Sequence, residues 1–171
     1  MEPNLQVCHF KLRRGEAMRT TTPKLPLQAE ERARLRANKI KLKDIVRMNV
    51  SELAEYLQCS DKRARKLIGL AQFQTIPSIG PVVAQGLVDL EYYALQEVIG
   101  ETGANLTDRL EALRGYWMDP CVEDCLRCVV HHANYPESDR SWWHFTAERK
   151  QYREQFGYPA SRPTLAWHQV K

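Results

Sequence analysis

The sequence has no apolar run near the length of a membrane span, and its first residues lack the apolar stretch of a secretory leader. A membrane role is therefore not expected, and the reading is a cytoplasmic protein. No segment alternates apolar and polar residues as a half-buried strand does, so the expected fold class is all-α. There is no phosphate loop, no nucleophile elbow and no paired-acid motif with a supporting scaffold, which predicts a non-enzymatic protein without a cofactor. Five cysteines are an odd count, read as reduced thiols rather than a disulfide framework. One further absence shapes everything that follows: between Gln72 and Asp108 there is no Lys or Arg.

That gap belongs to a wider segregation of charge. The chain of 171 residues carries a net charge of only +4, but residues 1–69 sum to +8, residues 70–139 to −8 and residues 140–171 to +4. Its hydrophobic content of 43% suffices for a real core. Three regions are expected: a flexible basic N-terminal arm over 1–27, a helical domain over 28–135, and an aromatic-rich C-terminal segment over 136–171 packed on the same domain.

The stretch Ile76-Pro77-Ser78-Ile79-Gly80-Pro81-Val82-Val83-Ala84 reads as a tight turn between two helices. Gly80 can take the positive φ such a turn needs, and Pro81 suits the first helical position, where a missing N–H costs nothing. A turn of this kind leaves backbone N–H groups at a helix N-terminus free to meet a phosphate. Upstream, Gln28 to Ile40 is rich in helix formers, Ser51 is the expected N-cap for Glu52–Leu57, and Ser60 caps the next helix. Downstream, Asp119 and Pro120 start a helix that runs to about Asn134, and a charged helix follows over Thr146–Phe156. The residues from Ala160 onward are an extended tail expected to pack through Tyr158 and Trp167.

Two internal echoes organise the chain. Cys59-Ser60-Asp61-Lys62-Arg63-Ala64 and Leu67-Ile68 match Ile79 to Ala84 and Leu87-Val88 at a shift of 20 residues. Leu42, Ile45, Val46, Leu53 and Leu57 recur as Leu95, Val98, Ile99, Leu106 and Leu110 at a shift of 53. The reading is a degenerate tandem of helix-hairpin-helix units with an added C-terminal helical segment.

The run Arg63 to Gln74, the hairpin, Gly115-Tyr116-Trp117-Met118-Asp119-Pro120-Cys121-Val122-Glu123-Asp124, and Trp142-Trp143-His144-Phe145-Thr146-Ala147-Glu148-Arg149-Lys150 together resemble the bacterial pathogenicity-locus family of helix-hairpin-helix proteins, over roughly residues 35–168. The resemblance implies a SAM-like helical fold and DNA binding. Some relatives carry a mitomycin-resistance label, which implies DNA repair or a stress response. No reaction comes with it.

Residue by residue, the DNA-binding candidates are Lys62, Arg63 and Lys66 on the first repeat and Ser78, Ile79, Gly80 and Val82 on the second. Lys62 stands where the second repeat has Val82, so the first turn offers cationic neutralisation and the second does not. The alternatives are a solvated helix face for the first repeat and a packing element for the second. The basic run Arg32 to Lys43 extends the patch, with no aromatic residue interleaved. Cys121, Cys125, Cys128 and His132 fall on one helical stripe about 16 Å long, too extended for all four to converge on a tetrahedral metal, and read as small buried hydrophobes. The alternatives are a metal held by two of them, such as Cys128 with His132 aided by His131 or Cys59, or a thiol site at Cys121. Either would make a small thiol or metal-dependent protein centred on Cys121. Trp142 and Trp143 are either anchors for the C-terminal segment or an exposed aromatic platform. The expected partner is DNA, bound without sequence preference through phosphates. The runner-up is a protein-interaction module or homo-oligomer that uses the acidic block to dock a basic partner or the chain's own basic arm.

Overall fold

The computed structural model describes residues 22–170 and is helical throughout, with no β-strand among the described residues. Helix α1 spans Ala29–Ala37, α2 Val50–Leu57, α3 Asp61–Phe73, α4 Pro81–Asp89, α5 Gly103–Arg114, α6 Pro120–Asn134 and α7 Thr146–Phe156. Short 3-10 turns sit at Leu42–Arg47, Leu95–Val98, Trp142–Phe145 and Trp167–Gln169. The sole β-type pairing among the described residues is an isolated bridge between Trp117 and Ala166, which ties the tail to the entry of α6.

The caps explain most helix starts. Ser60 Oγ accepts from Arg63 N at 3.2 Å, and Asp119 accepts from Cys121 N at 2.9 Å with Pro120 at the first helical position. Helix α2 begins two residues earlier than expected. Asn49, not Ser51, is its N-cap, accepting from Glu52 N at 2.7 Å, because Asn presents an acceptor at this position as readily as Ser and lies at the end of the preceding 3-10 turn.

The hairpin between α3 and α4 departs from its predicted geometry. Gly80 is an extended N-cap at φ −99°, and the left-handed residue is Ser78 at φ 64°. The turn tightens two residues earlier, and the Ser78 hydroxyl accepts from Trp142 N at 3.1 Å, which holds the turn against the C-terminal segment.

The core is continuous from α1 to α6, with Leu53, Leu57, Leu67, Phe73, Leu87, Leu106, Leu110 and Leu126 fully buried. Both halves of the longer echo take the same form: a 3-10 turn, a helix, then a longer helix, with Ile45 and Val98 buried in equivalent places. Gly69 lets α3 approach the chain ahead of the second 3-10 turn, since a Cβ there would lie 2.9 Å from Tyr93 Cα.

Residues 1–21 of the expected arm lie outside the described residues, but 22–27 are packed rather than free. Leu25 and Leu27 are buried, and Lys24 exchanges two hydrogen bonds with the Gln74 side chain at 2.9 and 3.0 Å. The strap is fixed by Arg63, which donates to Glu31 at 2.9 Å through both Nε and Nη2 and to the Pro26 carbonyl at 2.6 Å.

Those bonds from Arg63 hold the Glu31 carboxyl below its ordinary value of 4.5. A depressed carboxylate contributes stability above its unfolded pKa and loses it as pH falls through the folded value. Urea midpoints should therefore decline as the pH drops below about 4.5, the unfolded value, and Glu31→Gln should flatten that decline while lowering the neutral-pH plateau.

Candidate nucleic-acid interface

The predicted site residues do not converge. Lys62, Arg63 and Lys66 belong to the first two turns of α3, while Ser78 to Val82 follow its C-terminus. At 1.5 Å per residue, about 16 Å of helix separates Lys62, and about 10 Å separates Lys66, from the end of α3 where the second group begins. An interface using both must run along the helix, and on a duplex those distances correspond to about three to five base-pair steps.

At the start of α3, Lys62 and Arg65 are exposed and Lys66 is half-buried along its stem. All three project away from the core face formed by Ala64, Leu67, Ile68 and Ala71. None makes an ion pair with a carboxylate among the described residues, nor do Arg32, Arg34, Arg36, Lys39, Lys41, Lys43 and Arg47. Arg34 does cap a helix end, donating to the Leu57 carbonyl at 2.7 Å. Arg63 is the exception in this region. Its guanidinium is committed to Glu31 and Pro26, so its role is to dock the strap, and it is not available as a free cation.

At the hairpin between α3 and α4, Ile79 is buried, Gly80 is half-buried and Val82 is 67% exposed. Pro81 has no N–H, and the Ala84 N–H is already used by the Gly80 carbonyl, which leaves the Val82 and Val83 N–H groups as the donors at this helix start. No cationic side chain stands on the turn itself.

The C-terminal cations behave in the opposite way. Arg153 donates from Nε to Glu123 at 2.8 Å and from Nη2 to Asp108 at 2.8 Å. Arg149 donates to Asp124 at 2.6 Å, and Arg162 grips Glu111 through two bonds of 2.6 and 2.8 Å. Glu111, Glu123 and Asp124 are each only 1% exposed, and Arg127 closes the set from α6 by bonding Glu123 and Glu148. Asp108, Glu111, Glu123 and Asp124 of the acidic block are thus partnered by the chain's own C-terminal segment. Tyr158 is sandwiched by the same arginines, with Arg153 4.2 Å and Arg162 3.5 Å from its ring centroid, whereas Trp167 stays 44% exposed and Ala166 is the buried contact of the tail. Sequence reading saw both charge blocks but not their pairing, because the partners lie 25 to 51 residues apart.

The cysteine stripe is largely interior. Cys125 and Cys128 are buried and Cys121 is half-buried. Burial, then the nearby Asp119, pushes the Cys121 thiol up to about 11, and burial pushes Cys125 and Cys128 up to about 12. Thiolate chemistry at neutral pH is disfavoured at all three. His132 Nε2 is 2.7 Å from the Arg140 carbonyl, and no group of three His, Cys, Asp or Glu among the described residues forms a metal-binding set. Of the two tryptophans, Trp142 packs on the core and Trp143 is 55% exposed.

A family model described as Cdd1, pathogenicity locus, matches residues 66–151, half of the chain. The chain belongs to the pathogenicity-locus family. No curated protein and no solved structure matches it. The family segment is narrower than the span of roughly 35–168 over which the sequence resembles the family. It opens at Lys66 in the middle of α3, includes the hairpin, Gly103, the Glu123–Arg127–Asp124 cluster, Trp142 and Trp143, and closes inside α7. Lys62 and Arg63 precede it, and Arg153 and Arg162 follow it.

Proposed function

We propose that the protein is a non-enzymatic DNA-binding module that holds the phosphate backbone without sequence preference. The observation that carries this reading is the unequal fate of its cations. Those of the C-terminal segment that face the acidic block are spent in buried ion pairs, whereas Lys62, Arg65, Lys66 and the cations of α1 and the first 3-10 turn have no carboxylate partner among the described residues. Unpaired, exposed cations are what a phosphate backbone exchanges for its counterions. The start of α3 adds the N–H groups of Asp61 and Lys62, left free when Ser60 takes that of Arg63. The hairpin contributes a second, weaker contact through the Val82 and Val83 N–H groups. Such a module fits the DNA-repair or stress-response setting that the family resemblance suggests.

The test is binding of the full chain to duplexes of unrelated sequence across a salt series. Affinity should fall steeply with salt, and Lys62→Glu with Lys66→Glu should weaken every duplex about equally and reduce the log–log salt slope by roughly two. An unchanged slope in the double variant would remove α3 from the interface. No binding at low salt would refute the reading.

A further inference from the structure

We propose that Trp143 is a stacking platform for an unpaired nucleotide, so that the protein favours DNA carrying a single-stranded end or gap over an uninterrupted duplex. This rests on the DNA-binding reading above.

Three observations meet at this side chain. First, Trp143 is 55% exposed, and its aromatic ring contacts among the described residues are with its chain neighbours Trp142, edge-on at 5.8 Å, and His144, tilted at 5.6 Å. Phe145, 3% exposed, and the partly buried Trp142 supply the packing of this turn on the core.

Second, the turn is joined to the hairpin. Trp142 N donates to Ser78 Oγ at 3.1 Å, and Ser78 is the left-handed residue of that hairpin. The turn that carries the exposed indole is therefore tied to the hairpin that leads into α4, whose Val82 and Val83 N–H groups have no acceptor within the helix. A nucleotide has both parts this arrangement can take, a flat π-face and an anionic phosphate.

Third, the flanking cations are unspent. Arg140, whose guanidinium lies 5.9 Å from the Phe145 ring centroid, and Lys150 make no carboxylate ion pair among the described residues, although Arg149 and Arg153 on the same helix as Lys150 do. Asp139 is the one carboxylate adjacent to Arg140 in sequence. An aromatic protein partner would use the ring but leave these cations unneutralised, so an unpaired nucleotide is the better occupant. A base inside a duplex offers no free face to Trp143, and this is where the preference for an end arises.

The experiment compares a blunt duplex with the same duplex carrying a short thymidine or uridine overhang, using anisotropy of a labelled strand and the full-length protein. The wild type should prefer an overhang. Trp143→Ala should weaken overhang binding by about five- to hundredfold, the range typical of base–aromatic stacking, and leave the blunt duplex unchanged. Trp143→Phe should restore most of the loss. Dependence on Trp143 with either overhang supports stacking, and the overhang that shows it identifies a deoxyribonucleotide or ribonucleotide as the occupant. Equal loss on blunt and overhang substrates, or no loss on any overhang, overturns the proposal while leaving phosphate binding intact. Absence of wild-type binding to every substrate refutes the underlying reading instead.

Discussion

Arg153→Met lowers the unfolding free energy by about 3–5 kcal/mol, seen as a lower urea midpoint at unchanged slope. The magnitude follows from what the guanidinium leaves behind. The Arg153 side chain is 7% exposed and reaches from α7 to Glu123 on α6, to Asp108 on α5, and to the carbonyls of Ala104 and Gly157. Removing it strands Glu123, 1% exposed, with Arg127 as its remaining partner. A buried carboxylate that has lost half its neutralisation costs far more than the pair itself is worth. Placing the same substitution in a Glu123→Gln background should reduce its cost by about 1–3 kcal/mol, because the stranded charge is then absent. Arg153→Lys should not rescue, since one ammonium cannot bridge two carboxylates on different helices as the forked guanidinium does. A change within about 0.5 kcal/mol for Arg153→Met, the size of an ordinary surface substitution, would mean that α7 is not docked by this network.

Gly103→Ala destabilises by about 2–3 kcal/mol, through the contact between α5 and α6. A Cβ at Gly103 would collide with Arg127 Cγ and lie 2.7 Å from Arg127 N and 2.9 Å from Arg127 Cα. The side-chain atom can rotate away, but the backbone atoms move only if α6 moves, and α6 carries the Glu123 and Asp124 network. The natural control is Gly80→Ala. That glycine has an ordinary φ of −99° and no atom within 4 Å of its would-be Cβ, so the change should stay within about 0.5 kcal/mol of neutral. Thermal or urea unfolding of the two variants side by side decides the matter. A neutral Gly103→Ala would show that the two helices do not pack this closely.

The contrast between these glycines marks the boundary of what was legible in the chain. Ser60, Asp119 and Pro120 announced their helices because a cap is a local matter of one side chain and the next three N–H groups. The all-helical class followed from the same local signals. Gly80 misled for the complementary reason: its place in a turn is local, but which turn residue takes the left-handed conformation depends on Trp142, 64 residues away from Ser78. Arg63 misled in the same way. On the helix it is indistinguishable from Lys62, and only the packed strap and Glu31 turn it from a surface cation into a structural one.

The sequence by itself determined the helical class, the main helix boundaries, the separation of charge into three blocks and the resemblance to the pathogenicity-locus family. Only the tertiary structure decided which charges are spent and which remain available, separating Lys62 and Lys66 from Arg63, and Arg140 and Lys150 from Arg149, Arg153 and Arg162. The physical reason is that a charge is neutralised by whatever lies within a few ångströms of it in space, and in a helical chain those neighbours come from elements tens of residues apart.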